Sequence, residues 1–255
     1  MNIILNERDW AEEMLQKNDL GKKPTETLSI IAKYYIDKKY DILSTRKMLE
    51  SFVLKCEPNN TLVNWEERLD YAIKRARKHR LVDIDCIYIT HPEMELISSL
   101  KGIQLRRLAF TVLCISKFYD KVSDSNNHWV NTEYKDIMSM ANINTSLKRQ
   151  CDMLRQLKEL DLIEMSKKVD NNNFRVCFGC EGDTAIRITD FRNLGYQYMR
   201  YYGGNYFECT HCGLVEKERN PVDGRKQKYC DGCAVEVKKI QNRESYSRKK
   251  NTLLN

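Results

Sequence analysis

Residues 104–178 read QLRRLAFTVLCISKFYDKVSDSNNHWVNTEYKDIMSMANINTSLKRQCDMLRQLKELDLIEMSKKVDNNNFRVCF, and the order of elements in this stretch decides the fold. Gln104–Phe118 carries Leu105, Leu108, Ala109, Val112, Leu113, Ile115 and Phe118 at helical spacing, apolar enough for a buried helix. The polar loop Ser123–His128 leads to Trp129-Val130, a two-residue strand. Asn131 or Thr132 is placed to cap a second helix through Ala141, with Ile137 and Met138 inward. Asn142–Asn144 makes a turn. Thr145 or Ser146 then caps a third helix to Leu160, with Leu147, Cys151, Leu154 and Leu157 at periodic positions. Leu162–Met165 and Phe174–Phe178 are strand candidates on either side of the polar, turn-rich Lys167–Asn173.

Helix, short strand, helix, turn, helix and hairpin is an order that resembles the winged helix-turn-helix family over 104–178. In that family the third helix usually enters the major groove and the hairpin wing touches the backbone or minor groove. The resemblance implies contacts by Asn144, Thr145, Ser146, Lys148, Arg149 and Gln150 at the start of the third helix, with Arg155 a weaker one. Lys167, Lys168 and Asn171–Asn173 would form the wing. The chemistry suits this, because Arg and Lys neutralise phosphate or chelate guanine, while Asn and Gln can pair with adenine edges. A plainer reading stays open: Lys148, Arg149 and Arg155 as the solvated face of a helix that also carries Asp152 and Glu159. Winged helices also serve as protein docking modules.

Downstream, Cys209-Thr-His-Cys212-Gly213 is followed, after seventeen intervening residues, by Cys230-Asp-Gly-Cys233. Each C-x2-C pair lets two sulfurs converge from one tight turn, and the spacing fits a four-thiolate zinc site. Gly213 and Gly232 would relax the backbone beside the ligands. Four thiolates close the coordination sphere, so the expected cofactor is one structural Zn2+ on Cys209, Cys212, Cys230 and Cys233. His211 is the alternative ligand within the knuckle. Residues after Cys233 are helix-like, and knuckle, hairpin-like middle and ligand-bearing helix resemble a treble-clef or zinc-ribbon finger. A third pair, Cys177/Cys180, has no second pair of its own and reads as strand-end thiols, a transient disulfide or alternative ligands. The remaining Cys56, Cys86, Cys114 and Cys151 sit in apolar-periodic segments as small hydrophobes.

Upstream, the first hundred residues read as helices. Glu7–Leu15 is short and amphipathic, Pro24 opens Thr25–Lys38, and Thr45–Lys55 carries Met48, Leu49, Phe52 and Val53. Asn64–Arg80 shows the stripe Trp65, Leu69, Ile73, Ala76. Its polar side holds Lys74, Arg75, Arg77, Lys78 and Arg80 without an acid, a run that suits solvated surface or phosphate contact. Cys86–Ile89 is a strand candidate, and Thr90-x-x-Glu93 with Pro92 spells a capping box. Thr189–Tyr202 reads as a helix joining wing to finger.

Composition bounds the class. The 255 residues include 43 Lys+Arg against 36 Asp+Glu, a net +7, with 42% apolar and 31% charged residues. Those proportions fit globular domains rather than disordered or low-complexity chains. The longest nearly apolar run, Leu108–Ile115, is too short to span a bilayer. Met1–Trp10 has no basic flank and only Ile3, Ile4 and Leu5 as an apolar core, so no secretory signal is expected. A cytoplasmic protein with no membrane partner follows as the expectation. From Glu216 to Lys250 there are eleven Lys+Arg and six Asp+Glu, so five of the seven net charges cluster at the finger and its basic tail, Arg243, Arg248, Lys249 and Lys250. Tyr206, Phe207 and Tyr229 flank the knuckles as a small core or as rings that stack on bases.

The ending QKYCDGCAVEVKKIQNRES resembles the zinc-finger tails of uncharacterised proteins of phages and mobile elements from low-GC Gram-positive bacteria. LRRLAFTVLC, WVNTE and LRQLKELDLIEMSKKVDN resemble the winged-helix part of the same proteins. The expected architecture is mainly α: a helical domain at 1–100, a winged helix-turn-helix at 101–185, a connecting helix at 186–204, and a four-cysteine finger with a basic helix at 205–255. The expected function is non-enzymatic binding of double-stranded DNA in the bacterial host cytosol, in transcription regulation or replication initiation, with Arg243 a further contact. No P-loop, G-x-S-x-G or H-E-x-x-H is present to suggest an enzyme. The rival expectations are a factor that binds a host polymerase, replisome or defence protein, and an RNA-binding protein. The N-terminal helices could support a homodimer.

Overall fold

The computed structural model describes residues 3–168, 172–219 and 226–252, the last seven by backbone alone. Asn171 and the side chains of Arg248, Lys249 and Lys250 lie outside the described part. The protein is mainly helical, with three small sheets among the described residues. It divides into two compact units, one spanning Ile4–Asp85 and the other beginning at Cys86.

The first unit holds α1 (Glu7–Lys17), α2 (Pro24–Asp37), α3 (Ile42–Cys56), a 3-10 turn (Leu62–Trp65) and α4 (Glu66–Lys78). Helix α2 is the axis: Leu28, Ile31, Ala32 and Tyr34 are buried against α1, α3 and α4, together with Leu49, Phe52, Trp65, Leu69 and Ala72. Each Leu, Ile or Phe side chain so removed from water contributes roughly 1.5–3 kcal/mol. Helix α3 starts three residues before the expected Thr45 because the Asp41 carboxylate accepts the Ser44 N–H at 2.6 Å and caps it. That bond holds the Asp41 carboxyl below its ordinary range. Buried Lys33 pairs with buried Glu7, whose carboxylate also accepts the Val82 N–H at 2.9 Å and so pins the segment leaving α4.

In the second unit, β1 (Ile87–Thr90) precedes α5 (His91–Ser99), α6 (Ile103–Ser123), β2 (Trp129–Val130), α7 (Tyr134–Met140), α8 (Leu147–Glu159), β3 (Ile163–Met165) and β4 (Phe174–Val176). Then come β5 (Thr184–Ile188), α9 (Leu194–Tyr201), β6 (Tyr206–Glu208), β7 (Val215–Lys217) and α10 (Asp231–Thr252). Helix α6 is the core, with Leu108–Ser116 buried without interruption. A three-stranded antiparallel sheet in the order β2-β4-β3 lies beside it, with Trp129 opposite Arg175 and Ile163 opposite Val176.

Several local expectations change. Strand β1 pairs with β5, Ile87 opposite Ile188, so 86–100 belongs with the second unit rather than with the N-terminal helices. Helix α9 begins at Leu194, not Thr189, because β5 and a turn in which the Asp190 carboxylate accepts the Arg192 N–H occupy the preceding residues. It is more than a connector: its Tyr198 packs on Phe110 of α6 at 5.5 Å, and Phe191 in the turn before it packs on Phe118 at 5.6 Å. Helix α7 is capped by neither Asn131 nor Thr132; Glu133 stands at its N-cap, and the Thr132 hydroxyl meets Tyr119 Oη at 3.1 Å instead. On α8 the inward residues are Met153, Leu154 and Leu157, whereas Leu147 is 71% exposed and Cys151 is also exposed. Only the C-terminal half of α8 packs on the body. Cys86 and Cys114 are buried as small hydrophobes, and burial pushes the Cys114 thiol up. Cys56 is half-buried against the first core, which raises its thiol to about 11.

Candidate metal centre and nucleic-acid interface

The β6–β7 hairpin presents the first thiol pair from its turn. Cys209 N–H donates to Leu214 O and Gly213 N–H to Cys209 O, both at 2.9 Å, and Gly213 takes a left-handed φ of 71° that closes the knuckle. Gly232 does not share that role: it lies in the first turn of α10 without a positive φ. Cys230 immediately precedes α10, Cys233 sits in its first turn, and Ala234 N–H donates to Cys230 O at 2.9 Å. Lys228 O joins the two pairs by accepting the Thr210 N–H at 3.0 Å and its hydroxyl at 3.2 Å.

The sulfurs of Cys209, Cys212, Cys230 and Cys233 all lie within 4.8 Å of one another. A tetrahedron with metal–sulfur bonds of about 2.3 Å has edges of about 3.8 Å; Cys212 and Cys230 Sγ are 3.7 Å apart. That separation is far beyond a disulfide bond of about 2.05 Å. Cys209, Cys230 and Cys233 are buried and Cys212 half-buried, under Phe207, Leu214 and Tyr229. These rings therefore serve the small core, while Tyr206 packs on Tyr196 at 5.0 Å. Burial pushes the Cys212 and Cys233 thiols up. It also works against the Cys209 thiolate, but the backbone N–H groups of Cys230, Cys212 and His211 outweigh it and bring Cys209 down to about 6. Converging soft donors around a small buried space fit a divalent ion such as zinc. His211 is exposed and outside the set. Exposed Cys177 and Cys180 join no cluster of three or more ligands among the described residues.

Side chains preceding α9 anchor this finger. Arg192 donates to Cys212 O at 2.7 Å while paired with Asp190 at 2.6 Å, and Asn193 Nδ2 donates to Val215 O at 3.0 Å.

The same segment locks the α7–α8 turn. Asn142 adopts a left-handed φ of 54°; its Nδ2 donates to Asn193 Oδ1 at 2.9 Å, and its Oδ1 accepts the Tyr196 N–H at 3.1 Å. Arg107 of α6 donates to Ala141 O at 2.8 Å and to Asn142 O. These residues escaped the sequence reading; the one signal was a glycine, Gly195, inside an otherwise apolar helical stripe.

At the start of α8, Asn144, Ser146, Lys148 and Arg149 are exposed, and Ser146 makes no side-chain cap. Lys148 and Arg149 have no acidic partner among the described residues. Thr145 and Gln150 are half-buried, and Gln150 Nε2 is spent on Thr145 O at 2.9 Å. Arg155 pairs with Asp152. Lys167 and Lys168 are exposed on the β3–β4 hairpin, which Ser166 N–H to Asn173 O at 2.9 Å and the Arg175–Glu164 pair at 2.7 Å hold closed. Arg243 is exposed on α10. In the first unit Lys74, Arg77, Lys78 and Arg80 are exposed around the C-terminus of α4, where cations also complement the helix dipole.

A further constellation lies at the capping box of α5. Fully buried Glu93 accepts N–H bonds from Thr90 at 2.8 Å and Cys180 at 2.9 Å and pairs with Lys117 Nζ at 2.7 Å. Thr90-x-x-Glu93 gave the first of these; the others required the tertiary structure.

Compared with protein-family models, curated proteins and solved structures, the chain finds no match in any of the three. No helix among the described residues is long and apolar enough to cross a membrane.

Proposed function

We propose that α6 to β4 form a winged helix-turn-helix module that binds double-stranded DNA, and that Cys209, Cys212, Cys230 and Cys233 hold one structural Zn2+ in a treble-clef or zinc-ribbon finger. The protein acts without catalysis, as a phage or mobile-element factor in transcription regulation or replication initiation in the bacterial cytosol. The observation carrying this reading is the state of Lys148 and Arg149. Both are exposed on the first turn of α8, beside Asn144 and Ser146, without an acidic partner among the described residues, whereas Arg155 further along is paired. Unpaired cations beside amide and hydroxyl groups on a helix start match phosphate and base-edge contact. Lys167 and Lys168 would add backbone contacts from the hairpin. The zinc does no chemistry here; it would fix the hairpin against α10.

The test is a gel-shift series on duplex DNA with Lys148→Ala/Arg149→Ala. The expected outcome is weaker binding and a relaxed sequence preference; unchanged affinity and preference remove α8 from the interface. One observation favours docking to a host protein: Leu147 and Leu160 are exposed apolar residues at the two ends of α8. Stoichiometric capture of a single protein after nuclease treatment, with no duplex binding by the purified chain, selects that reading.

A further inference from the structure

Among the described side chains, helix α10 is packed only at its start. Cys233 is buried in the thiol cluster and Val237 is half-buried; every other residue from Ala234 to Ser245 is exposed, with Val235 at 56% and Ile240 at 48%. A long surface helix normally hides an apolar stripe along its length. Here Tyr246 is the sole apolar residue from Gln241 to Thr252, so there is no seam for a second copy of the chain or for the body of the protein. What the segment does carry is charge. Residues 238–252 contain Lys238, Lys239, Arg243, Arg248, Lys249 and Lys250 against Glu244 alone: six cations less one acid, or +5 of the chain's +7.

Such a helix is poorly supported in isolation. About 12–15 residues without tertiary packing are marginal in water. Lys239 and Arg243, four apart, repel one another. The first turn is fixed by Cys230 and Cys233, which spares the nucleation step, but propagation from Lys238 to Ser245 gains little from burial, since these side chains are exposed. A polyanion would reverse the sign of the charge term.

We propose that α10 lies along the phosphate backbone of double-stranded DNA as a sequence-independent arm that is most fully helical when bound. This rests on the DNA-binding reading and adds a second contact with different chemistry: α8 reads sequence, while α10 neutralises phosphate and releases counterions.

The experiment uses the zinc-loaded full chain and measures duplex affinity against salt concentration. Each lost phosphate contact lowers the slope of log affinity on log salt by about 0.9. Lys238→Gln/Lys239→Gln/Arg243→Gln is expected to flatten that slope by about 2–3 on the same basis, with sequence preference and zinc content unchanged. Lys22→Gln/Lys47→Gln/Lys55→Gln removes the same charge from exposed positions in the first unit and is expected to leave the slope in place. Circular dichroism of the wild-type chain is expected to gain helical signal on adding duplex. An α10 variant with the wild-type slope, or an equal flattening in the charge-matched variant, overturns the inference while DNA binding stands. A full chain that binds no duplex even at low salt overturns the DNA-binding reading and this inference with it.

Discussion

The α-carbon of Gly195 lies directly against the peptide at the end of α7: a Cβ added there would meet Ala141 O at 2.0 Å and Ala141 C at 2.6 Å. Both atoms belong to backbone that Arg107 also grips, so neither can give way cheaply. Helix α9 is thus a brace for the turn that launches α8.

Gly195→Ala should therefore cost at least about 2 kcal/mol, at the upper part of the range for overpacked sites. Thermal denaturation of the purified variant checks this. Because the strain falls on the α7–α8 turn, duplex affinity should drop at temperatures where the variant is still folded. Full stability in Gly195→Ala would show that α9 does not press on Ala141.

Metal removal gives a second expectation. Elemental analysis should find one zinc per chain, and Cys233→Ser should lose it. Structural zinc contributes on the order of 10 kcal/mol of folding free energy in small fingers. Chelation should consequently lower far-UV helicity, because α10 loses its fixed first turn, and should expose the 206–217 hairpin to proteolysis. Cys177→Ser should leave the metal content unchanged, since its sulfur belongs to no cluster of three or more ligands among the described residues. Zinc lost equally from Cys177→Ser would assign the ligands differently.

Glu93 offers a stability test independent of function. Its carboxylate is fully buried and holds two backbone N–H groups and Lys117. Glu93→Ala should destabilise by about 3–5 kcal/mol, the cost of breaking a buried pair and leaving its partners unmet. Glu133→Ala, which removes the exposed pair with Lys135 at 3.1 Å, should change stability by less than about 1 kcal/mol. Urea denaturation of the two variants measures the contrast, and equal losses would refute it.

How much of this was legible beforehand varied with the range of the interaction. The stripes Leu28–Ile31–Ala32, Trp65–Leu69–Ile73 and Leu105–Leu108–Val112 marked α2, α4 and α6, because burial of one helix face writes a local period into the chain. Cys209, Cys212, Cys230 and Cys233 announced a common site, because two thiols per tight turn is itself a local geometry. Strand β5 was missed although Ile186 and Ile188 alternate, since a five-residue strand has little signal of its own and its partner Ile87–Thr90 lies almost a hundred residues away. Leu147 shares the helical period of Leu154 and Leu157 yet is exposed, because periodicity cannot say where along a helix the packing stops.

The sequence by itself determined the helical class, the set of four thiols that converge and the clustering of positive charge near its end, since each depends on residue type and spacing over a few turns. Only the tertiary structure decided that segment 86–100 joins the second unit, that Arg107, Asn142 and Asn193 lock the turn before α8, and that Lys148 and Arg149 make no ion pair among the described residues. Those outcomes depend on which groups meet across long loops, and a buried polar group takes the partner that distant packing brings to it.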